Sequence, residues 1–254
     1  MATTLNPHSP VSDFIRADYR ALGVFERFKI DFTRVGRKSL VEACQIARVP
    51  VGAVLGALSE AATSVRVRGG AKGQIPRGLG ALSRYIEDTH HVFTKDVIQQ
   101  LLPIADKAAT VCGHGHPELS TVRELVHQLA AEIIPHMNKE ERVLFPYLQA
   151  LAAGVSIPRP VFGSARNPVA VMVAEHDRTS ALLIAIEEAA RDPHQSKPFG
   201  LPADACAAHA ALYVGLEDLI ADLRQHMILE NDYLFPQTLA LEAAYATPVD
   251  SAAE

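Results

Sequence analysis

The chain has no tryptophan, only three cysteines among its 254 residues, and no excess of positive charge. Cys44, Cys112 and Cys206 are odd in number, far apart and form no Cys-x-x-Cys pair, which fits neither a disulfide framework nor a zinc knuckle. With 24 basic against 29 acidic side chains the net charge is −5, so no global field is available to hold nucleic acid or an anionic membrane. Neither is expected as a partner. The apolar runs, such as Pro168 to Ala174, fall far short of the roughly 20 residues of a membrane span. The opening MATTLNPHSPVSDF has neither a basic start nor an apolar stretch, and this predicts a cytosolic protein. The basic, glycine-rich stretch from Thr63 to Gly80 lacks the spacing of a phosphate loop and reads as a linker.

Against these absences stand 48% hydrophobic residues, enough for a buried core, and 11 histidines. Residues 11–62 carry helical apolar spacing; Ser39 with Glu42 forms a capping box opening one helix, and another is expected over about 51–62. From Ala81 onward the helical pattern breaks only at Gly113–Pro117, Gly154–Pro168 and Pro198–Pro202, leaving four helices. Thr121 with Glu124 is expected to cap the second, and Asn167 followed by Pro168 the third. The class is all-α, a four-helix bundle preceded by a small helical domain. Its expected divisions are 1–62 for the N-terminal domain, 63–80 for the linker, 81–240 for the bundle and 241–254 for a tail.

An internal repeat carries the chemistry. Residues 136–146 read HMNKEERVLFP and residues 226–236 read HMILENDYLFP, identical at six of eleven positions. In each copy His and Glu are four apart, so both side chains lie on one helix face about 5–6 Å apart at Cβ. In the second helix Val122, Val126, Leu129, Ile133, His136, Glu140 and Val143 share one stripe; in the fourth, Leu212, Leu216, Leu219, Leu223, His226 and Glu230 do. The polar pairs therefore face the core, where two buried carboxylates would cost several kcal/mol each unless a cation lies between them.

The third helix offers His176 on the stripe Val169, Met172, Thr179, Leu183 and Ile186, and the first offers His90 or His91, between which periodicity does not decide. The midpoint of His91 and His136 is 113.5 and that of His176 and His226 is 201, each inside a turn. Antiparallel partners equidistant from a turn lie at one height, so four histidines and two glutamates meet at one level. Imidazole with carboxylate and no thiolate suits iron or manganese, and the facing His-x-x-x-Glu pairs suggest a dinuclear centre bridged by the glutamates. Plain packing histidines and a single zinc ion are the alternatives.

VFERFKIDF followed by SLVEAC, then THH, PHMNKEERVLFP, EHD and LENDYLFP together resemble the hemerythrin-like di-iron proteins of the iron-sulfur cluster repair (repair of iron centres) family, over nearly the whole chain. The resemblance implies two non-heme iron ions, oxo- or hydroxo-bridged, on His91, His136, Glu140, His176, His226 and Glu230. It also implies a role in nitrosative and oxidative stress, reacting with nitric oxide or dioxygen species and supporting repair of iron-sulfur clusters, with iron-sulfur proteins as partners. The alternative is a carrier or sensor of iron, oxygen or nitric oxide that turns nothing over.

Two departures from the family pattern stand out. Where the family has FCCGG after Ile-Asp, this chain has Phe32, Thr33, Arg34, Val35 and Gly36, without the cysteine pair. Where the family often has a histidine, Cys112 stands, 21 residues and about 31 Å of helix from His91. Cys112, His114 and His116 read as turn residues, with a separate surface metal site as the alternative, while Cys44 and Cys206 read as small core residues. Glu132, four before His136, and Glu175, beside His176, are candidates for orienting a ligand or relaying protons.

Overall fold

Helical spacing governs burial throughout. A computed structural model describes residues 5–18, 21–30, 32–66, 75–155, 160–191 and 198–246. Among them there is no strand, only the isolated bridges Pro10–Ser39 and Arg191–Pro198. The N-terminal part holds α1 (Val11–Ala17), α2 (Ala21–Arg27), α3 (Phe32–Val35), α4 (Leu40–Ala47) and α5 (Val51–Arg66). The capping box forms as expected: Ser39 Oγ accepts from the Glu42 amide at 3.3 Å, and the Ser39 amide donates to the Glu42 carboxylate at 2.9 Å. Helix α5 runs past residue 62 because residues 63–66 contain no glycine or proline. Residues 67–74, most of the expected linker, lie outside the described residues, as do residues 247–254 of the expected tail.

The bundle is built from α6 (Leu79–Tyr85), α7 (Val92–Cys112), α8 (Glu118–Lys139), α9 (Phe145–Ala152), α10 (Arg166–Ala189), α11 (Ala207–Ile228) and α12 (Phe235–Ala246). Three π-helical turns, Ile86–His91, Glu140–Leu144 and Leu229–Leu234, join α6 to α7, α8 to α9 and α11 to α12. Helix α7 packs on α8 and α11, and α8 on α10; α1 and α3 lie against α11. Beyond the π-turns, α6, α9 and α12 form an extension in which α9 touches both others.

Two helix starts differ from expectation. Helix α8 begins at Glu118, ahead of Thr121, because Pro117 presets the backbone at φ −62° and Leu119 is already in the core. Helix α10 begins at Arg166, and the Asn167 side chain donates to the Phe162 carbonyl at 2.8 Å instead of capping. The stripes of the second, third and fourth bundle helices are buried as read, except Val143, which is exposed while Leu144 turns inward. The π-turn at Glu140–Leu144 adds a residue to that turn of helix and so shifts the inward face by one position.

The apolar interior has two parts. The larger runs from the N-terminal helices through α7, α8, α10 and α11, from Val11 and Phe25 to Leu223 and Met227. The smaller one, around Leu82, Ile86, Phe145, Leu148, Met172, Leu234 and Phe235, lies in the extension. At the far end of the larger core the reading of Cys112 as a turn residue and Cys206 as a small core residue, outside any disulfide framework, is corrected: Cys112, closing α7, and Cys206, just before α11, form a disulfide with Cα atoms 6.4 Å apart. Cys206 is therefore a bridge residue and not simple packing. The tip of the first hairpin and the start of α11 meet there, a neighbourhood that residues 94 apart in sequence do not disclose. Cys44 is free and buried, in keeping with its reading as core.

Candidate metal centre

The six side chains singled out in the sequence lie together between the two cores, and all are nearly or fully buried. His91 ends the first π-turn, and Glu140 and Glu230 open the next two stretches of π-turn at their first and second residues. His136 and His226 lie one helical turn earlier on α8 and α11, and His176 comes from the middle of α10. The ligand atoms fall into two overlapping groups, His91, His226, Glu140, Glu230 and His136, His176, Glu140, Glu230, each with all atoms within 4.8 Å of one another. Both glutamates belong to both groups.

The distances show how the four Nε2 atoms converge. His91 and His226 Nε2 are 3.2 Å apart, and His136 and His176 Nε2 are 3.0 Å apart. Glu140 Oε2 lies 3.4 Å from both His91 and His136; Glu230 Oε1 lies 3.0 Å from His226, and its Oε2 3.1 Å from His176. Behind the rings, His91 Nδ1 donates to Glu141 Oε1 at 2.8 Å, and Lys95 donates to both Glu141 oxygens at 2.6 and 2.7 Å. His136 Nδ1 donates to Glu175 at 2.8 Å, and Lys139 also donates to Glu175. His176 Nδ1 donates to Asn231 Oδ1 at 2.9 Å.

A carboxylate or an amide oxygen behind Nδ1 can only accept, so each of these rings, when neutral, carries its proton outward and a bare lone pair inward. Two lone pairs 3.0 Å apart at His136 and His176 repel unless a proton or a cation lies between them. The oxygens of Glu140 and Glu230 are buried without a hydrogen bond. Burial, then the Glu230 charge, pushes Glu140 well above the ordinary carboxylate range. Burial also acts to raise Glu230, but His226 and His176 outweigh it and hold that carboxyl well below. His136 is brought to about 4 by burial, and His91 is lowered for the same reason. Glu141 is held down at about 2, first by the hydrogen bond from His91 and then by Lys95. This donor set of imidazoles and orphaned carboxylates fits a cationic metal far better than an empty core.

Periodicity left His90 or His91 open and the resemblance assigned His91; the structure turns both inward to different tasks. His91 Nε2 enters the cluster; His90 Nδ1 bonds Asp222 at 2.9 Å and its ring stacks on His226 at 5.9 Å. Glu175 lies behind His136. Glu132 does not approach the cluster: it is half-buried, bonded by Gln128 at 3.3 Å, with Arg178 3.8 Å away. Missed were Glu141, Asn231 and Lys95, and the rings of Phe145 and Phe235, which stack on His91 and His176 at 5.4 and 5.9 Å. The repeat contained the signal for four of these, because 141 and 145 stand where 231 and 235 stand in the second copy.

Paired histidines and shared glutamates in such a bundle define the cation-binding class of hemerythrin-type domains, and residues 83–238 match the Hemerythrin HHE cation binding domain. The chain is 30% identical over 240 residues to the Iron-sulfur cluster repair protein YtfE of Enterobacter sp. (strain 638), covering 92% of this chain and 97% of that protein. The protein of the same name from Cronobacter sakazakii (strain ATCC BAA-894) matches to the same extent. That of Yersinia pestis (strain Pestoides F) is 29% identical over 224 residues, 87% of this chain and 91% of the relative. The chain belongs to the hemerythrin-like iron-sulfur cluster repair family.

Proposed function

We propose that this chain is a cytosolic non-heme di-iron protein of nitrosative and oxidative stress, whose centre takes nitric oxide or dioxygen species and supports the repair of iron-sulfur clusters. One observation carries the reading: two groups of two histidines share both Glu140 and Glu230. Each ion would thus have two imidazoles and an oxygen from each carboxylate, four protein donors, which leaves room on an iron ion for a small diatomic molecule. Bound iron would supply reversible one-electron chemistry and an open coordination position.

The protein's own contribution is orientation and exclusion. Glu141, Glu175 and Asn231 hold His91, His136 and His176 with Nε2 inward. Hydrogen bonds from His91 and Lys95 hold Glu141 ionised, and those from Lys139 and His136 do the same for Glu175, so both act as acceptors, while burial keeps the His91 and His136 rings neutral against the pull of these carboxylates. Phe145 and Phe235 cover His91 and His176 on the extension side with apolar rings, and Ile133 and Leu223, three residues before His136 and His226, are buried in the larger core. A cluster-repair role accords with the names of the relatives, and iron-sulfur proteins are then the partners.

The second reading, a carrier or sensor of iron, oxygen or nitric oxide, is favoured by one feature. Helix α3 begins at Phe32 and carries Thr33 and Arg34 where the family's cysteine pair stands, so thiol chemistry at that place is absent. Metal analysis and an optical spectrum of the purified chain test both readings: about two iron atoms per chain and a spectral change on adding nitric oxide are expected. One zinc per chain in place of the iron overturns the dinuclear assignment. Stoichiometric nitric oxide binding without turnover favours the carrier over the repair role.

A further inference from the structure

The disulfide end of the bundle holds a second group of metal-ligating side chains, unrelated to the first. His116 lies in the turn after α7, Glu118 opens α8, and His209 is the third residue of α11. One ligand atom from each lies within 4.8 Å of the others. His116 Nδ1 is 3.4 Å from Glu118 Oε1, its Nε2 is 3.6 Å from Asp204 Oδ1, and its ring centre is 4.9 Å from that of His209. All three side chains line a cavity of about 370 Å³ whose wall also includes Arg191 and Tyr213.

His209 sets this cluster apart from ordinary surface charge. It is 0% exposed, packed edge-on against Tyr213 at 4.3 Å, and neither ring nitrogen has a hydrogen-bond partner. A buried imidazole with both nitrogens unpaired is costly and calls for a partner. Burial, and secondarily His116, brings its pKa to about 4, so the ring is neutral and has a lone pair to give. The ligand-bearing segments are also fixed beforehand: Cys112 precedes the His116 turn, Cys206 precedes α11, and the two are covalently joined.

We propose that His116, Glu118 and His209 form a second metal site, for a divalent cation of the zinc type. Two imidazoles and one carboxylate are a set that zinc takes with its fourth position open, here toward the cavity and the exposed Asp204. The site is separate from the carboxylate-bridged centre, because His209 and His226 are 17 residues apart on α11, about 25 Å. It stands whether or not the other centre holds iron.

The test uses the full-length chain with its iron content measured first, titrated with Zn2+ by calorimetry and with Co2+ by visible absorption. One further ion per chain is expected, with iron retained and with the bands of a four-coordinate Co2+ site. His116→Gln and Glu118→Gln, both at the partly exposed rim, should each weaken Zn2+ binding at least tenfold and leave the iron content unchanged. His209→Phe, checked by circular dichroism for a folded bundle, should abolish it. Zinc uptake matched by iron release, no uptake at all, or uptake that survives both rim substitutions would overturn the proposal.

Discussion

Glu141 and Asn231 occupy the same place in the two copies of the repeat, directly after a buried glutamate, and each accepts a hydrogen bond from a histidine of the preceding bundle helix. The phenylalanine four residues on then stacks against that same ring, Phe145 on His91 and Phe235 on His176. Each copy thus supplies a core-facing histidine and glutamate and also the acceptor and floor for another helix's histidine. Identity between the copies made His136, Glu140, His226 and Glu230 legible, while the two phenylalanines, equally identical, passed as core. The acceptors stayed hidden because glutamate and asparagine share only the capacity to accept. Glu132 was over-read because a shared stripe does not set height: it sits a full turn, about 6 Å along α8, away from His136, where Gln128 and Arg178 are its partners. Replacing Glu141 with Ala should weaken metal binding by about 10- to 100-fold without changing helical content, as read by competition with a chelator. Unchanged affinity would show that the hydrogen bond to His91 is incidental.

At the level of elements, the π-turns decide which side chains face inward. An ordinary helix would aim His90 or His91 at the core; the turn over Ile86–His91 aims both, one to the cluster and one to Asp222. The same device turns Leu144 inward in place of Val143. None of this was readable from periodicity, because a π-turn leaves the residue types unchanged and only shifts the phase of the pattern after it. The long helices, in contrast, were legible from their stripes, since His136, His176 and His226 each continue an unbroken apolar series. Deleting Thr89 should return the first turn to α-helical register and leave a single histidine facing inward. Far-ultraviolet dichroism should stay close to that of the parent while bound metal falls by half or more; full metal retention would refute this account of the π-turn.

On the scale of the whole molecule, the Cys112–Cys206 bond joins residues 94 apart and ties the first hairpin to the start of the last bundle helix. Its pairing was illegible because it depends on which hairpin ends meet, a fact carried by the packing of α7 on α11 and by no local pattern. Replacing both cysteines with Ser should lower stability by roughly 2–5 kcal/mol in urea unfolding while iron content stays the same, because loop closure and not the metal centre is affected. Loss of iron together with stability would instead make the two ends of the bundle one cooperative unit. The division of ligands between the hairpins has a further consequence. His91 pairs with His226, and His136 with His176, so each ion would draw one histidine from each half of the bundle, and both need Glu230. A growing chain that has completed only its first hairpin has half of each site and none of the second carboxylate. Competence for metal therefore arrives at one moment, near the end of synthesis, and a chain cut short before residue 230 would be helical yet blind to the ion it is built to hold.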